Sequence, residues 1–244
     1  MTHWAILSGI NGNLPAYEAV LADIKRLRGQ VEALYILGDL IGLHPQCEAL
    51  VQRVRQPPKG ELEPQVCIGW WEEQCFNLYG LGSDPEAKAL LDQIGSAGIE
   101  QFWQSVSRKT VQWLRSLDFG FFELDCLLIH GSTVGCNDKL TPETPPMQLL
   151  DRLLRAEANT LFCGRSGLAF QLQIPEGAVT STITTLDAPA QTMTQTVRDR
   201  QIVGVGSVGK ELGQATYTLY SPYTNAVSFR TVRYGTQGKG FGVV

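Results

Sequence analysis

The chain has 244 residues, of which 43% are hydrophobic and 18% charged, a composition typical of a globular protein with a substantial core. Its formal net charge of −4 argues against a broad nucleic-acid or anionic-membrane surface, so we expect neither as a partner. The N-terminus lacks a signal-peptide pattern, no stretch has the length of a membrane span, and the six cysteines lack zinc spacing. These features favour a cytoplasmic protein with buried, reduced thiols.

The first half of the chain alternates short apolar runs with helical periodicity. In chain order, the pattern predicts a strand in WAILSG, a helix over 15–27, a strand in ALYILGD, a helix over 48–54, a strand in QVCIG, and helical segments over 84–94 and 99–117. Asn13 is the expected N-cap of the first helix, and Pro15 suits its first turn.

The second half becomes richer in strands. CLLIHGS and TLFCGR read as strands on either side of a helix in PPMQLLDRLLRAEA, and ATYTLYS and AVSFRTVRY read as a hairpin. A second, threonine-rich hairpin is predicted over 179–197, around an Asp-Ala-Pro-Ala break. Since no repeat or linker is visible, we expect one α/β domain over 1–244 with a β-rich C-terminal half and a flexible tail at 235–244.

Six short stretches each follow an apolar run, in the order SGINGNLPA, LGDLIG, IGWWEE, LLIHGST, CGRSGL and VGVGSVG. This order resembles the motifs of the calcineurin-like metallophosphoesterases, specifically the small bacterial and archaeal phosphodiesterase-type branch. The motifs there are Asp-x-His-Gly-Asn, Gly-Asp, Gly-Asn-His-Asp, His-Gly, Gly-His-Thr-His and Asn-Pro-Gly-Ser-Val-Gly. The resemblance covers essentially the whole chain and implies a four-layer α/β/β/α sandwich. It also implies two divalent metals, such as manganese, at the sheet edges.

The resemblance identifies the positions at which the metals would be held. Asp39 matches the bridging aspartate and His130 the histidine of the fourth motif. Five other ligand positions carry different residues, namely Gly9, Asn11, Trp70, Arg165 and Gly167. Glycine, indole and guanidinium offer no lone pair to a metal, and an amide oxygen is a poor substitute for imidazole. We therefore expect neither a dinuclear centre nor another cofactor.

The substituted positions have structural explanations as well as functional ones. We expect Arg165 to replace the metal charge by pairing with Asp39 or Glu72, the alternative being a guanidinium directed to solvent. Trp70 and Trp71, the latter at the position of the catalytic histidine, either fill the vacated volume, which we favour, or offer a stacking surface. His130 is either a remnant metal ligand or, as we expect, a neutral buried imidazole.

The candidate pocket therefore combines remnants of six motifs. The glycine-rich turn over 204–209 would bind an anion through its backbone N–H groups or serve only as a structural turn. The candidate residues are Asn11, Asn13, Asp39, Trp70, Trp71, Glu72, His130, Arg165 and Ser207.

Three functions fit these observations. The first is a catalytically degenerate phosphoesterase that acts as a binding, scaffold or regulatory protein, with a protein partner or with a small anion or nucleotide in its pocket. The second is a residual metal-dependent phosphodiesterase or phosphatase that uses Asp39, His130 and Asn11. The third is a structural homo-oligomer built through the hairpin at 179–197.

Overall fold

The computed structural model describes residues 2–27, 29–83, 87–175, 177–185, 188–197 and 199–235, with side chains for all of these except 178–197. The strands are β1 His3–Leu7, β2 Val31–Leu37, β3 Pro64–Cys67, β4 Gly120–Glu123, β5 Cys126–Ile129, β6 Thr160–Cys163, β7 Ala169–Ile174, β8 Gly177–Thr185, β9 Ala188–Val197, β10 Arg200–Val205, β11 Gln214–Ser221 and β12 Ala226–Arg233. The helices are α1 Leu14–Arg26, α2 Cys47–Arg55, α3 Trp70–Leu78, α4 Lys88–Ser105, α5 Arg108–Leu114 and α6 Pro146–Arg155.

The strands form two five-stranded mixed sheets and one separate hairpin. The first sheet has the order β12-β11-β1-β2-β3, in which β1, β2 and β3 are parallel. The second has the order β4-β5-β6-β10-β7, in which β5, β6 and β10 are parallel. Strands β8 and β9 pair as a hairpin between β7 and β10 in the chain.

Side-chain alternation along the strands divides the core into layers. In β1, Trp4 and Ile6 pack between the two sheets, whereas Ala5 and Leu7 face the cluster formed with helices α1 to α5. The far side of the second sheet packs against α6 through Leu149 and Leu153. The order is therefore helices, sheet, sheet and helix, and the predicted four-layer α/β/β/α sandwich is confirmed.

The helix and hairpin patterns near the chain ends agree with the structure. Asn13 caps helix α1, because its Oδ1 accepts a hydrogen bond of 3.1 Å from the N–H of Ala16. Asp23 on α1 accepts hydrogen bonds from Tyr217 on β11 and Arg230 on β12, which ties the first helix to the C-terminal strands.

Two elements differ from the sequence prediction. Helix α3 and the short edge strand β4 carry no clear periodicity and were not expected. Helix α4 is interrupted at Gly95, whose φ of +66° is non-helical, in agreement with the expected break between the two helical segments. The break before α5, at the capping residue Ser107, was not foreseen.

Parts of three predictions lie outside the described residues. These parts are the helix start at 84–86, residues 186–187 of the threonine-rich hairpin, and residues 236–244 of the tail. All six cysteines are buried and unpaired. Of the helices described, none combines the length and apolar character needed to cross a bilayer.

Candidate functional site

A cleft of about 910 Å³ opens at the sheet edge where the parallel strands end. Six of the nine candidate residues line it: Asn11, Asn13, Asp39, Trp71, Arg165 and Ser207. The other three, Trp70, Glu72 and His130, are at most 2% exposed and lie beneath its floor. The sequence therefore identified the correct edge of the sandwich but did not separate lining residues from supporting ones.

The loops that follow β1 and β2 line the centre of the cleft. The N–H of Asn11 donates to the carbonyl of Asp39 at 2.9 Å, and the N–H of Gly12 donates to that of Leu40 at 2.8 Å. These bonds extend the parallel pairing of β1 and β2 into the loops. Asn11 and Asp39 both have φ near +50°, a conformation that Asn and Asp adopt more readily than most residues.

Both carboxylate oxygens of Asp39 are engaged within the protein. Oδ1 accepts a hydrogen bond of 2.8 Å from the N–H of Trp71 in the first turn of α3, and Oδ2 lies 3.3 Å from Nε2 of His130. The carboxylate also lies at the positive end of the helix dipole. Although burial alone would raise the pKa of Asp39, the His130 charge and the hydrogen bond from Trp71 hold it below its ordinary value.

Both nitrogens of the His130 ring lie close to oxygen atoms, which favours the protonated ring and differs from the neutral imidazole expected from the sequence. Its Nδ1 lies 2.8 Å from the carbonyl of Leu37, which can only accept, and its Nε2 faces a carboxylate. A hydrogen on each ring nitrogen suits these two neighbours. Burial lowers the pKa of His130, but the Asp39 charge more than offsets this and raises it above its ordinary value. The contact at Nε2 is a close ion pair without an aligned hydrogen bond.

Glu72 fixes the loop that carries Asp39. Its carboxylate accepts hydrogen bonds of 2.8 to 3.1 Å from four backbone N–H groups, those of Asp39, Leu40, Ile41 and Gly69. Burial and the nearby Asp39 charge raise the pKa of Glu72 to about 7, while the four donors favour the ionised form. Glu72 is therefore a structural anchor and not a pocket residue.

Arg165 forms no ion pair with Asp39 or Glu72 among the described residues, so the expected direct pairing is wrong. Its guanidinium carbon lies 4.6 Å from the ring centroid of Trp70, and Nη2 donates to Oδ1 of Asn137 at 3.4 Å. Asp39 takes its direct counter-charge from His130, and Arg165 acts on it only at longer range.

The two tryptophans have different roles. Trp70 is buried in the helical core and contacts Trp71 edge to face at 5.1 Å, in agreement with the packing interpretation. Trp71 is half-buried, packs on Phe102 and lines the cleft. Only Trp71 is therefore placed to contact a ligand.

The cleft also contains polar residues that the sequence reasoning did not include among its candidates. Besides Arg165, two exposed cations, Lys139 and Lys210, line the cleft. Gln93 and Gln101 reach the cleft from α4. Lys210 directly follows the glycine-rich turn over 204–209, whereas Lys139, Gln93 and Gln101 follow no motif and come to the cleft only through the packing of a separate loop and a helix. Burial lowers the pKa of His44, which also lines the cleft, and its Nδ1 accepts from the N–H of Gln46.

Three buried polar atoms at or beneath the cleft have no hydrogen-bond partner among the described residues. These atoms are Oδ1 of Asn11, an acceptor, Nε of Arg165, a donor, and Nε2 of His130, which faces Asp39. Because buried polar groups are usually satisfied, the Asn11 and Arg165 atoms would each gain from a hydrogen bond to a bound molecule that reached them.

Two solved structures are similar to nearly the whole chain. A hypothetical protein from Pyrococcus horikoshii matches with a TM-score of 0.73 at 20% identity, covering 97% of this chain and 90% of its own. A metallophosphoesterase from Sphaerobacter thermophilus matches with a TM-score of 0.65 at 22% identity, covering 96% of this chain and 90% of its own. The chain has a metallophosphoesterase fold. Neither a protein-family profile nor a curated protein matches the sequence.

The residues at the cleft of this metallophosphoesterase fold do not fit a dinuclear metal site. Within the described part of the chain, no three His, Cys, Asp or Glu side chains are grouped to hold a metal ion. Nε2 of His130 lies against the carboxylate of Asp39, and Arg165 adds a fixed positive charge nearby.

Other side chains lie beside two positions at which the resemblance implies metal ligands. A Cβ atom added to Gly9, the first aspartate position, would lie 2.8 Å from Oγ of Ser207. That hydroxyl donates to the carbonyl of Gly9 at 3.0 Å. A Cβ on Gly167, the last histidine position, would lie 3.7 Å from Nζ of Lys210. A side chain at Gly9 would therefore require Ser207 to move, whereas one at Gly167 would meet Lys210 at ordinary contact distance and be disfavoured by its φ of +65°.

Proposed function

We propose that this chain is a catalytically degenerate member of its fold class that binds a small phosphate-bearing anion without a metal ion. The observation that carries this proposal is the charge of the cleft. Lys139, Arg165 and Lys210 supply three cations, and Asp39 is the one acidic residue among the described lining residues. Since His130 compensates Asp39, the cations remain available to a ligand.

A local positive potential is compatible with the negative charge of the whole protein. The formal net charge of −4 is summed over 244 residues, whereas a concave site concentrates the field of the groups that line it. Lysine ammonium groups and an arginine guanidinium are the usual partners of phosphate oxygens. The two lysines are exposed at the cleft, where an anion can reach them.

The size and hydrogen bonding of the cleft support a ligand larger than phosphate alone. Its volume of about 910 Å³ suits a phosphorylated metabolite or a nucleotide. Arg165 Nε is an unused donor for a phosphate oxygen and Asn11 Oδ1 an unused acceptor for a hydroxyl or amine, and both atoms are buried, so a ligand would contact them only after a side-chain movement.

The same geometry argues against hydrolysis. A phosphoesterase needs an activated water and a group that stabilises the charge on the transferred phosphoryl group. Asp39 uses both carboxylate oxygens inside the protein, and the catalytic-histidine position is Trp71. The alternative function, a single-metal phosphodiesterase at Asp39, His130 and Asn11, would require His130 to lose a proton and an added cation to approach Arg165.

Calorimetric titration in the presence of EDTA tests the proposal. We use inorganic phosphate, pyrophosphate and AMP as probes of increasing size. Lys210→Met should weaken binding of the tightest probe about tenfold or more, and added salt should weaken it further. The control is Lys109→Met, which removes an exposed lysine outside the cleft lining.

Two results would overturn the proposal. The first is an absence of binding of all three probes unless manganese is added. The second is binding that Lys210→Met and Arg165→Met leave unchanged. The six buried thiols support a reducing, cytoplasmic setting for the binding reaction.

A further inference from the structure

The hairpin of β8 and β9 continues the ladder of β7 and β10 beyond the second sheet. Ile174 pairs with Arg200 at the end of that ladder, and Gly177 pairs with Val197 at the start of the hairpin. We call the segment from Gly177 to Val197 the hairpin arm. Its strands of nine and ten residues span about 30 Å at ~3.3 Å per residue.

The hairpin arm is a two-stranded sheet. In the described part of the chain, β8 and β9 pair only with each other, and each makes most of its contacts with the other. A two-stranded hairpin is at most marginally stable in water, and sheets become independently stable with three or more strands. The arm would therefore gain stability from an additional strand.

From Gly177 to Ile183, the edge of β8 lacks the features that usually prevent strand addition, and the pairing becomes irregular only between Ile183 and Thr185. Natural sheet edges carry charged side chains, prolines or bulges that block pairing. Strand β8, GAVTSTITT, contains no charged residue and no proline, and its pairing is regular from Gly177 to Ile183. Strand β9 is also uncharged, but Pro189 removes one backbone donor from it. The free edge of β8 is therefore the more open of the two.

We infer that β8 pairs antiparallel with β8 of a second copy of this chain, forming a four-stranded sheet across a two-fold axis. An uncharged strand offers no sign of charge by which an acidic or basic partner could be selected. A second copy of β8 is a suitable partner for this uncharged edge. A two-fold axis brings each residue of the segment opposite a residue of the same uncharged segment. Threonine and β-branched residues favour such cross-strand pairs.

Sedimentation velocity of the full chain over a range of concentrations tests this inference. We expect a monomer–dimer equilibrium that the double variant Thr180→Lys/Thr182→Lys weakens at least about tenfold, because like charges then meet across the axis. The matched control is Thr194→Lys/Thr192→Lys on β9. These positions pair with Thr180 and Thr182, so they carry the same charges one strand away from the axis.

A charge-reversal experiment separates loss of pairing from loss of folding. The variant Thr180→Glu/Thr182→Glu should also be monomeric, and an equimolar mixture with the lysine variant should restore the dimer. A wild-type chain that stays monomeric at every concentration would overturn the inference. Equal weakening by the β8 and β9 lysine pairs, or a mixture that fails to dimerise, would also overturn it.

Discussion

Nε2 of His130 lies 3.3 Å from Oδ2 of Asp39, where the metallophosphoesterase resemblance puts two metal ligands. A protonated His130 places a positive charge next to the carboxylate of Asp39. In a metal-bound site, a metal ion would provide that charge. The second carboxylate oxygen caps helix α3 through the N–H of Trp71. Asp39 and His130 thus lie together as a buried acid–base pair at the edge of the sheets.

Removing the carboxylate charge should destabilise the protein strongly. We expect Asp39→Asn to lower the free energy of unfolding by about 3 to 5 kcal/mol, because it leaves a buried imidazolium without its counter-ion. Asparagine tolerates the positive φ of this position, so the backbone is preserved. Urea unfolding at pH 7 measures the effect.

The exposed ion pair between Asp151 and Arg155 offers a control for this variant. Asp151→Asn should change the free energy of unfolding little, since water already screens that pair. An Asp39→Asn protein as stable as Asp151→Asn would contradict the internal ion pair.

The His130 pair should also make stability depend on pH. Because the folded-state pKa of His130 is raised, the stabilisation is fully present below its ordinary value of about 6.5. It is then lost as the pH rises through the folded-state pKa. The difference in unfolding free energy between wild type and His130→Gln should therefore shrink between neutral and alkaline pH. A difference that grows over this range would contradict the assignment.

Replacing Glu72 by its neutral isostere, glutamine, should destabilise the folded protein. In Glu72→Gln, one oxygen becomes an NH₂ group that faces backbone donors of the Asp39 loop or of Gly69. We expect a loss of about 3 kcal/mol or more, because at least one buried N–H is left without an acceptor and faces another donor. Thermal unfolding provides the measurement, with Glu73→Gln as the neighbouring control on α3. Equal melting temperatures for the two variants would show that the anchor is unimportant.

Asp23 should control stability at acid pH. Hydrogen bonds from Arg230 are the main reason why the pKa of Asp23 is lowered in the folded protein. The stabilisation by Asp23 is therefore present at pH values above the ordinary aspartate pKa of about 3.9. It is lost as the pH falls through the lowered, folded-state pKa. Asp23→Asn should therefore destabilise the protein by about 2 kcal/mol at pH 7 and by less near pH 3. Urea unfolding at the two pH values measures this. A penalty that is constant with pH would contradict the role of the charge.

Much of the fold could be predicted because local pattern and tertiary structure agree. The strands at Ala5 and Leu34 lie in apolar runs bounded by turn residues, and Asn13 is both a sequence cap and an observed one. Helix α3 escaped prediction because its stability depends on tertiary contacts. Asp39, from another loop, caps it, and Glu72 anchors that loop in turn.

The candidate site was predicted less completely. Motif order predicted that Asn11 and Asp39 lie together, and both line one cleft, since residues at the ends of parallel strands meet at one edge. It could not place Lys139 or Gln101, which reach the cleft from elements without a motif. It also could not show that His130, and not Arg165, is the direct partner of Asp39, because that depends on side-chain distances.

The most direct test of the metal-free binding site combines elemental analysis with an activity assay on one sample. The full chain is equilibrated with manganese, desalted, analysed for bound metal and assayed with a phosphodiester substrate. We predict metal well below one equivalent per chain, no turnover, and binding of the phosphate probes that EDTA does not alter. One or two equivalents of manganese, with turnover that Asp39→Ala abolishes, would contradict this account.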